Sequence, residues 1–199
     1  MYYKKIELSV LLALIFTITL SCFDFSLECN SIRNKVFRLH ILANSDSPCD
    51  QELKLKVRDR LIVFADELFA SSDCLETVET RAKQNTEKFK EKAEDELKKY
   101  GCNLPVSVSV TPCYFNTRTY ENVTLPAGVY QALQVKIGQH KGKNWWCVMY
   151  PSLCLPSSTC KIEDTLDDSE TRVVENKNKY IVKFKIVELI ESVKTLFKA

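Results

Sequence analysis

A covalent hydrolase needs a nucleophile with a base beside it, and this 199-residue chain offers few candidates. It has two histidines, His40 and His140, against nine cysteines. Cys147 with either imidazole would make a thiol–imidazole pair. However, Cys147 lies inside the apolar run "WWCVMY", and His140 sits in the turn-like "GQHKGKN". The stretch "RLHILANSDSPCDQ" holds His40, Ser45 and Asp46, an inventory whose order and closeness match no familiar triad. "EDTLDD" reads as a solvated acidic loop, not as paired catalytic carboxylates. There is no Gly-rich phosphate cradle and no CxxC pair, so neither a cofactor nor a metal site is expected. What remains is Arg38 and His40 on one face of a hydrophobic strand, and Trp145 and Trp146 next to Cys147. Buried polar groups need partners. Arg38 and His40 therefore either hydrogen-bond to neighbours such as Asn44 or Asp46, or form an exposed recognition patch. Adjacent tryptophans in a strand point to opposite faces, so one should pack inward while the other meets a partner or a covering helix.

The elements that carry these residues follow from periodicity. "VFRLHILA" alternates: Phe37, Leu39, Ile41 and Ala43 share one face, and Val36, Arg38, His40 and Leu42 the other. "NSDS" breaks the strand, because Asn, Ser and Asp bond their own backbone in turns. A helix then starts with Ser47 as N-cap, Pro48 at the first position and Asp50 at the third. Its stripe is Leu53, Val57, Leu61, Phe64 and Leu68, its outer face is charged by Lys54, Lys56, Arg58, Asp59 and Arg60, and it ends near Ala70. A second long, highly charged helix runs from a cap at Asp73 to a stop at Gly101. From Leu104 the period is two: "LPVSVSVTP" is a half-buried strand, and "AGVYQALQVKIG" and "WWCVMY" are expected to pair as an antiparallel hairpin. Between them "CYFNTRTYENVTLP" either pairs as an edge or wanders. Residues 161–178 read as an acidic loop, and residues 179–199 as a helix with Val182, Ile186, Leu189, Ile190, Val193 and Phe197 packed on the sheet. The fold class is thus α+β: a small antiparallel sheet with two long helices and a C-terminal helix, the main domain covering residues 30–160.

A net charge of +2 argues against a nucleic-acid partner. The first residues point elsewhere. Lys4 and Lys5 precede an uncharged run from Leu8 to Cys22, which reads as an export signal or membrane anchor over residues 1–22. Thr19 and Ser21 suit cleavage, and "TLSC" loosely resembles a lipoprotein box; cleavage, anchoring and lipidation all stay open. Eight cysteines beyond that run fit an exported chain. Cys147 and Cys154 are the expected disulfide, with Pro151 between them to bend the segment; such a ring adds roughly 2–3 kcal/mol if unstrained.

Two tracts, "FRLHILANSDSPCDQELKLKVRD" and "LPAGVYQALQVKIGQHKGKNWWCVMYPSLC", resemble the stage II sporulation protein R family of endospore-forming bacteria over about residues 36–154. The residues that match are Arg38, His40, Asn44, Ser45, Asp46, Ser47, Asp50 and Gln51, then Gly142, Asn144, Trp145, Trp146, Cys147 and Cys154. The resemblance implies a signalling protein rather than an enzyme. Its members are exported from the forespore into the space between the two sporangial membranes. There they are required to activate a membrane-embedded aspartic protease of the mother cell, which processes the precursor of sigma factor E. Arg38, His40, Asn44, Asp46, Asn144, Trp145 and Trp146 are accordingly the expected binding residues. A secreted hydrolase acting on cell wall or peptide is the alternative.

Overall fold

A computed structural model of the chain describes residues 2–70, 74–120, 122–151 and 165–198. The elements are α1 (Tyr2–Asn34), β1 (Phe37–Leu42), α2 (Pro48–Phe69), α3 (Leu75–Gln84), α4 (Thr86–Lys99), β2 (Val106–Phe115), β3 (Arg118–Tyr120), β4 (Val123–Leu125), β5 (Gly128–Ile137), β6 (Asn144–Tyr150), α5 (Asp168–Glu175) and α6 (Lys177–Lys198). The architecture is α+β, as expected. The chain divides into two compact units, one formed by residues 34–115 and 129–167, the other by residues 1–33, 116–128 and 168–199.

The first unit holds a four-stranded sheet in the order β2-β5-β1-β6. β1 pairs parallel with β5 and antiparallel with β6, so β5 and β6 are not the expected hairpin. β1 lies between them, and the 138–143 turn crosses its end, a span of about 10 Å for two strand spacings. Alternation reports which face a side chain takes but not which strand lies beside it. β1 is buried on both faces as far as Ile41, as a central strand requires.

One face of the sheet is a plain apolar core. Phe37, Leu39, Ile41, Leu133 and Val135 meet Val57 and Leu61 of α2, Val78 and Ala82 of α3, and Phe89, Ala93 and Leu97 of α4. Ser47 caps α2 as expected, accepting the Asp50 N–H at 3.1 Å. The buried stripe is Val57, Leu61, Ala65 and Phe69, with Leu53, Phe64 and Leu68 only half-buried, a small rotation from the expected face. Lys54, expected outside, falls on the buried side.

The expected single helix after residue 70 is two. Its cap at Asp73 lies outside the described residues, and α3 and α4 meet at Asn85, whose backbone leaves the helical region (φ −115°, ψ 18°). The Asn85 N–H and side-chain Nδ2 both bond back to the Arg81 carbonyl, satisfying the end of α3 locally. Gly101 ends α4 with φ 71°, the left-handed stop the sequence indicates.

The second unit contains α1, the β3–β4 hairpin, α5 and α6. Residues 168–175, expected as acidic loop, form α5, while 161–164 lie outside the described residues. Phe25 of α1 stacks on Tyr180 at 5.5 Å and meets Phe184 edge-on at 5.3 Å. Arg33 donates to the Ala127 carbonyl at 2.7 Å and pairs with Glu191 at 3.7 Å. Tyr180, Phe184, Val187 and Glu191 therefore form the inward stripe of α6, whereas Val182, Leu189, Ile190 and Val193 of the expected stripe are exposed. The helix is apolar on two sides, so its hydrophobic period alone could not choose between them. Among the described residues no helix is long and apolar enough to cross a membrane.

Candidate functional site

The opposite face of the four-stranded sheet is unlike the helix-covered one. Alternation in β1 turns Arg38 and His40 to this side, and register places Ala132 and Gln134 of β5 and Val148 and Trp146 of β6 beside them. β2 contributes Cys113 and Phe115. The result is a polar and aromatic cluster rather than an aliphatic core.

His40 is the hub. Its ring stacks on Trp146, with centroids 3.9 Å apart and planes 13° from parallel. Nε2 lies 2.9 Å from Asn144 Oδ1, and Nδ1 lies 3.2 Å from Gln134 Nε2. With Asn144 accepting and Gln134 donating, the assigned amide orientations select the neutral ring protonated at Nε2. Gln134 Nε2 also reaches Cys113 Sγ at 3.3 Å. Burial holds the His40 pKa below its ordinary value, the Asn144 bond works the other way, and Lys136 and Arg38 add to the lowering. Burial likewise raises the Cys113 thiol pKa, so this sulfur is a thiol rather than a thiolate.

Arg38 is fully buried, with its guanidinium 3.9 Å from the centroid of Phe115 and 4.8 Å from that of Tyr130. A cation between two ring faces recovers part of its lost hydration. Phe115 in turn meets Trp146 at 4.6 Å and 62°, and Tyr130 at 5.5 Å and 75°, both edge-to-face.

The other expected residues build a clasp at the end of the sheet. Asn44 Oδ1 accepts the Gln139 N–H at 2.9 Å, and Asp46 Oδ1 accepts the Lys143 N–H at 2.7 Å. Asn44 Nδ2 and Ser45 Oγ both donate to Asp50 Oδ2, at 2.9 and 2.5 Å. These bonds hold the Asp50 carboxyl below the usual carboxylate range, Ser45 contributing most and Asn44 next. Gln51 donates to the Ser45 carbonyl at 2.8 Å. Lys54 bridges Gln51 Oε1 at 2.7 Å and the Lys143 carbonyl at 3.0 Å, and its burial lowers its pKa. Gly142 passes so close to the Ser45 carbonyl that a Cβ would collide with backbone, which explains why glycine stands there. The "NSDS" segment thus grips the 138–143 turn and sets where β6 begins.

Arg38, His40, Asn144 and Trp146 therefore come together on one face, while Asn44 and Asp46 serve the clasp instead of bonding to Arg38 or His40 as one expectation had it. Trp145 lies on the opposite face, beside the apolar core, with the Arg58 guanidinium 4.3 Å from its ring and its Nε1 buried without an acceptor among the described residues. Cys147 is on that face too, opposite Leu39 rather than His40, so the strand pleat separates the thiol–imidazole pair. Ser45 is spent on Asp50, and Asp46 on Lys143, leaving neither on His40. Cys154 lies outside the described residues. The free cysteines among the described residues are Cys22, Cys29, Cys49, Cys74, Cys102 and Cys113; Cys147 is not one of them. Sequence reasoning missed Gln134, Phe115, Tyr130 and Lys54. The alternation of "VYQALQVKI" places Tyr130 and Gln134 on one face, but only the neighbour order brings them to His40.

The family model described as stage II sporulation protein R matches residues 33–160. That span covers the whole sheet and both the cluster and the clasp. The chain belongs to this family. Among curated proteins, the stage II sporulation protein R of Bacillus subtilis (strain 168) is 35% identical over 123 residues, which is 62% of this chain and 55% of that protein. The chain thus spans about half the length of the curated relative it matches. No solved structure matches. The stage II sporulation protein R match leaves α5 and α6 outside it.

Proposed function

We propose that this chain acts in sporulation as an exported signalling protein. In this reading it is made in the forespore, passes into the space between forespore and mother-cell membranes, and there activates a membrane-embedded aspartic protease that processes pro-sigma E. The observation that carries the reading is the family match across residues 33–160, the region that contains the His40–Trp146 cluster. Export is supported by Lys4 and Lys5 ahead of the uncharged run to Cys22 and by the exposure of Ile6, Leu8, Val10, Leu11, Leu12 and Leu14. The N-terminal segment also supplies the membrane association.

Action by contact suits the chemistry of the cluster. Both ring nitrogens of His40 are bonded to amides, and neither Cys147 nor Ser45 is placed to be activated by it. No observation favours the hydrolase alternative. The half-buried Trp146 is the recognition residue in this proposal, because an indole held rigid by stacking loses little entropy on binding. We include the Cys147–Cys154 disulfide, supported by the buried position of Cys147 in the middle of β6 and its absence from the free thiols.

The test is co-expression of the exported chain with the protease and pro-sigma E in a non-sporulating host. Processing should require both the chain and its first 22 residues. Processing that proceeds without the chain, or with a chain confined to the cytosol, would remove the reading.

A further inference from the structure

Helix α6 is held by one side and offers the other. Its inward stripe, Tyr180, Phe184, Val187 and Glu191, is spent within its own unit on Phe25 and Arg33 of α1. On the far side Ile181, Val182, Leu189, Ile190 and Val193 are 40–71% exposed. On a helix of 3.6 residues per turn these five cover an arc of about 180°. Water is a poor solvent for such an aliphatic strip, and contiguous exposed patches of this kind mark interaction surfaces.

The charges around the strip say what covers it. The helix has six lysines and two glutamates. Lys179 and Lys183 lie along one edge of the arc, and Lys185 falls inside it between Ile181 and Leu189. Lys185 is paired with Glu188, and Lys194 with Glu191. Among the described residues, the side chains of Lys179 and Lys183 make ring contacts and one long bond to the Ser21 carbonyl. An aliphatic strip edged by lysines whose long stems can lift their ammonium groups is the pattern of a helix lying in the plane of an anionic lipid surface. Val182 and Ile186 also share an open groove of about 520 Å³ with Thr17, Ser21 and Cys22 of α1. The strip therefore continues towards the apolar end of α1, where Leu8, Leu12, Phe16 and Leu20 are also exposed.

We propose that the outward face of α6, centred on Val182, Leu189 and Val193, docks on an anionic lipid bilayer. Leu189 and Val182 enter the acyl boundary, while Lys179 and Lys183 reach the phosphate headgroups. The attachment is separate from protease activation and does not need that reading to be correct.

The experiment is sedimentation of the full chain with phosphatidylglycerol-rich vesicles and with pure phosphatidylcholine vesicles. Four proteins are compared: the unaltered chain, a Val182→Glu/Leu189→Glu variant, a Lys179→Gln/Lys183→Gln variant, and a Leu8→Glu/Leu12→Glu variant that weakens the α1 contribution. The α6 variant should lose at least about tenfold in partition to the anionic vesicles. A Lys179→Gln/Lys183→Gln variant should lose about fivefold per lysine and much of the salt dependence. The α1 variant should keep a preference for anionic over neutral lipid. If circular dichroism shows that the glutamates disturb the helix, Val182→Ser/Leu189→Ser gives the same readout with a milder change. Unchanged partition in a folded α6 variant overturns the proposal. So does a chain whose α6 face binds only vesicles that carry a membrane protein, since that assigns the face to a protein partner.

Discussion

The two faces of the four-stranded sheet are made from the same strands and differ in almost every other respect. On the helix-covered face Phe37, Leu39, Ile41, Leu133 and Val135 interlock with three helices, and nearly every contact is aliphatic or aromatic. On the other face the neighbours of those residues, one step along each strand, are Arg38, His40, Gln134 and Trp146. The first face needs only apolar volume and would tolerate isosteric exchange. The second buries a guanidinium and an imidazole, which cost desolvation unless each is matched by a specific partner. The first face supplies most of the buried apolar area. The second adds geometric specificity: one histidine tautomer, one amide orientation on each side and one indole held in place.

Substitutions that separate the two faces test this contrast. Phe89→Ala removes a fully buried ring that packs on Phe64 at 4.8 Å, and should cost about 3–5 kcal/mol in urea unfolding. Its effect on pro-sigma E processing should follow the fraction unfolded and nothing else. Arg38→Leu keeps apolar bulk but removes the cation between Phe115 and Tyr130, with an expected cost of about 2 kcal/mol. An unchanged urea midpoint would mean the guanidinium adds nothing to the fold.

His40 gives a pH signature the aliphatic face cannot. Its folded pKa lies below the unfolded value, so the unfolded chain binds more protons between the two. The stabilisation is complete above the ordinary histidine pKa and is lost as pH falls through that value towards the lowered one. The slope is at most about 1.4 kcal/mol per pH unit. Urea midpoints at several pH values for the unaltered chain and His40→Gln should converge towards acid pH. Parallel curves would show that the His40 pKa is the same in the folded and unfolded chain.

The smallest effect on stability should have the largest effect on signalling. Trp146→Phe keeps a ring over His40 and should cost only about 1 kcal/mol. Processing in the co-expression assay should nonetheless fall well beyond the loss of folded protein, whereas Trp145→Phe, on the core side of the pleat, should track stability alone. Equal loss for both substitutions would return Trp146 to a purely structural role.

Much of this was legible from residue types. The alternation of "VFRLHILA" separated Arg38 and His40 from Phe37, Leu39 and Ile41. The "SDSPCD" run placed the α2 cap on Ser47, and adjacent tryptophans had to point opposite ways. These are local facts: period, capping and pleat are set by covalent geometry within a few residues. The split of the long charged helix at Asn85, the buried Lys54 and the helical acidic segment were not legible, because helix propensity is similar on either side of those outcomes and packing chose between them.

The sequence by itself determined which residues share a face and where the turns fall, since a side chain's direction follows from its own backbone. Only the tertiary structure decided which strand lies beside which. By inserting β1 between β5 and β6, it set Gln134 and Asn144 on the two nitrogens of His40 and moved Cys147 out of its reach. The same step turned Asn44 and Asp46 from candidate ligands into the clasp on the 138–143 turn. Neighbour order is a choice among long-range pairings that bury similar area, and no local periodicity encodes it.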